Sequence, residues 1–137
     1  MTCFGCFTNY TGSKVLGFWC IIAFLCSFVD FVIYWPFFFA TLVQYGGSSI
    51  AFALQLSKDT ADHRKYFFVT YMVGIVLVTI LYPLCYWYYY EDLYYGGGEF
   101  ILSTGITVGI RLVFQIHFIF VLKENWISLR DNRPDAF

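Results

Sequence analysis

The run FILSTGITVGIRLVFQIHFIFVL, from Phe100 to Leu122, is long enough to cross a bilayer as one helix, and it carries Arg111 near its centre. About 20 residues at a 1.5 Å rise cover ~30 Å of hydrocarbon. A guanidinium at that depth costs roughly 2.5–3.5 kcal/mol on insertion scales, so it must face protein or water instead of lipid. The chain is therefore expected to be a multi-pass membrane protein whose helices pack on one another or on a partner.

Composition agrees. Hydrophobic residues make up 60% of the 137 and charged residues 12%, against ~25% charged in a soluble domain. A soluble domain of this size keeps too much of its surface wet to hide so much apolar area. Aromatics reach 24%; Tyr and Trp favour the headgroup level, where the ring is apolar and the tip polar. A net charge of −1 without a basic stripe argues against a nucleic-acid partner. The first apolar run starts at Val15 and outlasts a signal-peptide h-region, so it is expected to remain as a signal anchor.

The expected fold is all-α: one integral membrane domain over residues 1–137, a polytopic helical bundle with spans at about 15–35, 37–56, 66–89 and 100–122. A polar connector covers 57–65, an acidic aromatic loop 90–99 and a polar tail 123–137. The stretch 37–56 is the uncertain one. It carries no charge, yet its QYGGSS centre weakens a helix, each Gly by ~1 kcal/mol against Ala; small residues are nevertheless tolerated where helices pack in lipid. Four spans are preferred. The alternative is three, with a first helix ending near Tyr45 and an interfacial loop after it. Lys58, Arg64 and Lys65 in the connector, and Lys123, Arg130 and Arg133 in the tail, contrast with Glu91, Asp92 and Glu99 in the 90–99 loop. The positive-inside rule puts connector and tail in the cytosol and the loop opposite. With four spans the N-terminus is inside with Lys14. With three it is outside, where the Asn9-Tyr10-Thr11 sequon could be used.

Asp30 is the only acid inside a span and Arg111 the only base. Each is costly alone, and such groups usually find one another or backbone carbonyls, so an intramembrane Asp30–Arg111 ion pair is expected, with Cys26, Ser27 and Tyr34 on the Asp30 face. Thr104, Arg111 and Gln115 fall on one face of the last span, with Thr107 beside them. Gly105 and Gly109 form a G-x-x-x-G helix-packing pattern to which Thr104 and Gln115 add. Tyr86, Trp87, Tyr88, Tyr89, Tyr90, Tyr94 and Tyr95 read as an interfacial aromatic belt rising into the three glycines of the loop. Cys3 and Cys6, a juxtamembrane C-x-x-C, are candidate S-acylation sites; neither a second ligand pair for zinc nor a redox setting accompanies them. Cys20, Cys26 and Cys85 read as small apolar packing residues, and His117 as a packing residue. Glu91, Asp92 and Glu99 match no metal template. The sequence holds no Ser/His/Asp grouping, H-E-x-x-H or P-loop, so no catalytic residue, metal or cofactor is expected. One ion pair does not make the polar path that a channel or transporter needs.

Cys6, then Thr11-Gly12, Leu16-Gly17 and Trp19, resemble the opening of the lysosome-associated transmembrane protein family and its small arthropod and nematode relatives. Ile116-His117-Phe118, Val121 and Leu129 are similar to the exit of the last span in those relatives. The resemblance covers about a quarter of the chain. It implies four spans with both termini inside, and an endosomal or lysosomal protein that binds other membrane proteins and influences their sorting. The chain departs from the family in lacking a long first luminal loop and in its tail, KENWISLRDNRPDAF, which has no Pro-Pro-x-Tyr ligase-recruiting motif.

The functional expectation is a non-enzymatic multi-pass protein whose partners are the lipid bilayer and other integral membrane proteins. Two settings compete: an endolysosomal sorting or adaptor protein, and a structural accessory subunit of a large assembly such as a respiratory-chain complex of the mitochondrial inner membrane.

Overall fold

The computed structural model describes residues 8–33, 35–88 and 98–133; within the helices, the side chains at 30, 31, 33, 37, 83, 85–88, 98–104 and 107 lie outside that description. The described residues are all-helical, in the order α1 Asn9–Ile33, α2 Trp35–Thr41, a π-turn Leu42–Gly46, α3 Gly47–Ser57, α4 Ala61–Tyr88 and α5 Gly98–Arg130. Among the described residues three stretches are long and apolar enough to cross a membrane: Asn9–Val29, Ala61–Tyr82 and Val108–Arg130. Their outward faces are hydrophobic, as at Trp19, Ile22, Leu25 and Val32 on α1, Val73, Val76 and Ile80 on α4, and Ile110, Val113 and Phe120 on α5.

Local capping, more than the edge of the apolar runs, decides where the helices begin and end. Thr8 Oγ1 accepts from the Thr11 backbone N–H at 3.3 Å, and Thr60 Oγ1 accepts from that of His63 at 3.3 Å. Each satisfies one of the orphan donors of a first turn. α1 and α4 therefore start several residues before Val15 and Tyr66, and the expected 57–65 connector shrinks to Lys58–Thr60. α5 likewise runs on through the expected polar tail to Arg130. It stops where Asn132 enters the left-handed region at φ 51°, with Asn132 N–H donating to Leu129 O (3.2 Å) and Arg133 N–H to Ser128 O (2.9 Å), a Schellman ending. Just beyond it, a hydrogen bond from Arg130 holds the Asp131 carboxyl below its ordinary range.

The 37–56 stretch does not form an interfacial loop after a long first helix. α1 is described to Ile33 and α2 from Trp35, with Pro36 in the first turn of α2, where a missing N–H costs nothing. Helix then continues through the glycines to Ser57, by way of the π-turn. It packs back along α1, with Phe38 against Phe28 at 5.6 Å between ring centroids, Gly46 beside Phe24 and Gly17 beneath the Phe52 ring. On its other side it runs antiparallel to α4, where Ala40 meets Val78, Gln44 meets Gly74, and Phe52 meets Phe67 at 5.4 Å. α5 returns along α4, with Tyr82 near Arg111 and Phe68 stacked on Trp126 at 6.0 Å. The core joins Leu16, Cys20, Tyr45, Phe52, Phe67, Tyr71 and Leu122 from α1, the π-turn, α3, α4 and α5.

Two glycines set the closest approaches. A Cβ at Gly17 would fall 2.2 Å from the Phe52 ring, and one at Gly74 would fall 2.8 Å from the Gln44 carbonyl oxygen. The second contact is with backbone, which cannot rotate away. Gly74→Ala should therefore lower stability in detergent by roughly 1–3 kcal/mol through overpacking. Gly47→Ala, whose added Cβ meets nothing nearer than Thr70 at 4.0 Å, should leave the thermal unfolding midpoint unchanged or raise it. Circular-dichroism melts of the two variants test the difference.

Candidate functional site

Two arginines organise the polar interior. Arg64 projects from the first turns of α4 and its side chain is 0% exposed. Its Nε donates to Asp59 Oδ1 at 2.7 Å and its Nη2 to Asp59 Oδ2 at 2.5 Å, a two-pronged pairing with the short link before α4. Nη1 reaches across to α5, donating to Asn125 Oδ1 at 2.9 Å and Asn125 O at 3.2 Å. The Tyr10 ring of α1 lies 4.9 Å from the guanidinium carbon and 4.2 Å from Lys14 Nζ. One side chain thus ties three helices together at the end of the bundle rich in Lys and Arg.

Arg111 does the equivalent further along. Its Nη1 donates to the Tyr82 hydroxyl of α4; its Nη2 donates to Gln44 Oε1 and, at 3.0 Å, to the Tyr45 hydroxyl. The Tyr82 and Tyr45 rings lie 5.1 and 5.7 Å from the guanidinium carbon. Gln44 and Tyr45 are adjacent in sequence and would diverge by ~100° on an ordinary α-helix. The π-turn brings both to the same guanidinium, a common use of such insertions. Ser48 Oγ donates to the Gln44 carbonyl at 3.3 Å, and Gly74 lets α4 close on that carbonyl. The helix-weakening QYGGSS segment is therefore what shelters the charge. Arg111 lies inside α5, Gly98–Arg130. Fourteen residues from Asn125, it lies ~21 Å along α5 from the Arg64 cluster.

A cavity of about 1040 Å³ lies between α1 and α5, backed by Tyr45, Tyr71 and Tyr82, with Arg111 and Gln115 in its wall. Most of the lining is apolar, including Leu16, Trp19, Ile22, Phe114 and Phe118. Trp19, Ile22 and Phe114 are also exposed on the outer face, so the cavity opens sideways. Gln115 is 5% exposed, and its Nε2 is buried without a hydrogen-bond partner.

The expected stripe is partly assembled: Arg111 and Gln115 share the cavity wall. The side chains of Asp30 and Thr104 lie outside the described ones, and with them the Asp30–Arg111 pair; Cys26 and Ser27, from the expected Asp30 face, line the cavity. Gly105 and Gly109 are exposed, and a Cβ at either would meet nothing within 4 Å among the described residues. Cys3, Cys6, Tyr89, Tyr90, Tyr94 and Tyr95 fall outside the described residues, as do the side chains of Tyr86, Trp87 and Tyr88. His117 is half-buried, edge-on to Phe118 at 6.0 Å. Gln44, Tyr45, Tyr82, Arg64 and Asn125 were not singled out from sequence. Arg64 read as a solvated topology signal, and the Gln44 signal was hidden in a segment notable only for its glycines.

No family model matches the chain, and no curated protein or solved structure matches it. The Arg64 cluster yields a direct test. Asp59→Asn leaves a buried guanidinium without its counter-charge and should cost roughly 3 kcal/mol, the low end for a buried pair because Asp59 is about a third exposed. Adding Arg64→Met should recover part of the loss. A double-mutant cycle by chemical denaturation in detergent measures the coupling.

Proposed function

We propose that the chain is a four-span integral membrane protein that acts without catalysis, by packing against other membrane proteins. The fourth span is the composite helix Trp35–Ser57. Its 7, 5 and 11 residues amount to ~34 Å at the α-helical rise, somewhat less across the π-turn, enough for the hydrocarbon core. With four spans both termini share the side that carries Arg64, Lys65, Lys123 and Arg130, the cytosolic side by the positive-inside rule.

The observation that carries the reading is the open Gly105/Gly109 face of α5. Small residues four apart let helix backbones approach closely in lipid, yet among the described residues nothing fills the space over either glycine. Ile106, Ile110 and Val113 flank it at 56, 54 and 68% exposure, giving a second helix an apolar surface with a small-residue track. Between the two settings, the endolysosomal sorting or adaptor role is favoured. Arg111 donates its three hydrogen bonds to Gln44, Tyr45 and Tyr82 of the same chain, so the bundle holds the guanidinium without a host complex, and the N-terminal resemblance points the same way.

Co-purification in mild detergent with mass spectrometry should recover integral membrane proteins. Gly105→Ile with Gly109→Ile should remove the main partner while leaving the thermal midpoint of the chain within about 0.5 kcal/mol equivalents, as for a surface change. A fluorescent fusion should mark endolysosomes. Stoichiometric recovery within a respiratory assembly would instead identify the accessory-subunit role.

A further inference from the structure

We propose that the cavity between α1 and α5 binds a long-chain fatty acid from the bilayer, with the carboxylate at Arg111 and the chain lying toward Val15. The inference rests on the membrane reading but not on any protein partner.

Unspent donors face the site. Of the five N–H groups of a guanidinium, Arg111 commits three to Tyr82, Gln44 and Tyr45. Its Nε–H and one Nη1–H have no partner among the described residues. Gln115 Nε2, one turn along α5 and buried, is also without one. Unmet donors in a dry site are costly, and donors gathered around a fixed positive charge select an anionic acceptor. The three groups already on Arg111 are neutral, so among the described residues the guanidinium has no counter-charge, and one negative charge would balance it. A carboxylate supplies that and accepts from an arginine fork with good geometry; a phosphate monoester would bring more.

The rest of the cavity suits the tail. Along α1 its wall runs from Val29 to Val15, fourteen residues or ~21 Å, about the length of an extended long acyl chain. Leu16, Trp19, Ile22, Ala23 and Phe118 line it. The volume of about 1040 Å³ is at the upper end for a small-molecule site and accommodates one acyl chain. The sideways opening means that a chain enters from lipid without crossing water.

The full chain would be reconstituted into phosphatidylcholine vesicles containing trace nitroxide-labelled stearate, or its methyl ester as the uncharged control. Electron paramagnetic resonance would read the immobilised fraction. The free acid should be retained preferentially over the ester, and Arg111→Gln should cut the preference roughly tenfold or more, the value of a charged hydrogen bond. Because that variant disturbs the bundle, Ala23→Phe provides the second arm: it fills the apolar wall, leaves the arginine contacts in place, and should expel the stearate at unchanged helicity. Equal retention of acid and ester would overturn the proposal, as would normal stearate binding in Ala23→Phe. A preference that emerges only in Asp30→Asn would also overturn it, since the chain's own acid would then hold the guanidinium. Release of the protein from vesicles by alkaline carbonate would refute the membrane reading itself, separately from the ligand.

Discussion

A half-buried arginine inside an apolar bundle is the constraint around which the rest is arranged. Arg111 cannot be left to lipid, and three side chains from two segments of the chain converge on it: Gln44 and Tyr45 from the π-turn, Tyr82 from α4. The hydroxyl and amide oxygens accept hydrogen bonds, and the tyrosine rings place electron-rich faces near the cation. The demand for those contacts accounts for otherwise awkward local choices. Glycines and serines sit in the middle of a helix, that helix takes one wider turn, and α4 presents Gly74 where any side chain would strike the Gln44 carbonyl.

The Arg64 cluster solves a different problem with the same residue type. There the charge is neutralised by Asp59 and Nη1 donates to Asn125, while Tyr10 closes over the top. A buried ion pair of this kind is a weak source of net stability, because desolvation offsets attraction. What it supplies is register: it can form only if α1, α4 and α5 meet at one relative height. Arg111, served by neutral partners, keeps donors in reserve. That contrast between a closed arginine and an open one separates a structural clasp from a candidate binding group.

The outside of the bundle follows from the inside. With polar side chains turned to the two arginines, each of the three long helices leaves aliphatic and aromatic residues facing outward, as a lipid solvent requires. The α5 glycines belong to this outer surface. Gly17 and Gly74 bring helices of the same chain together, whereas Gly105 and Gly109 lie open. Glycines with the same freedom thus serve internal packing in one place and face outward in another.

Sequence by itself determined the class of the molecule. Apolar runs too long and too uncharged for a soluble core, with Lys and Arg gathered in two segments, specify lipid-facing helices, because hydropathy depends on composition over a window and not on contacts. The shared face of Arg111 and Gln115 was legible too, since helical periodicity is local. Tertiary structure alone decided who answers the guanidinium. Gln44 and Tyr45 are more than sixty residues from Arg111, and they reach it only because a π-turn rotates them together and Gly74 admits the backbone behind them. The fate of the glycines was undecided for the same reason: whether a residue without a side chain marks a tight contact or an open face depends on what the fold brings opposite it, and no local pattern carries that information.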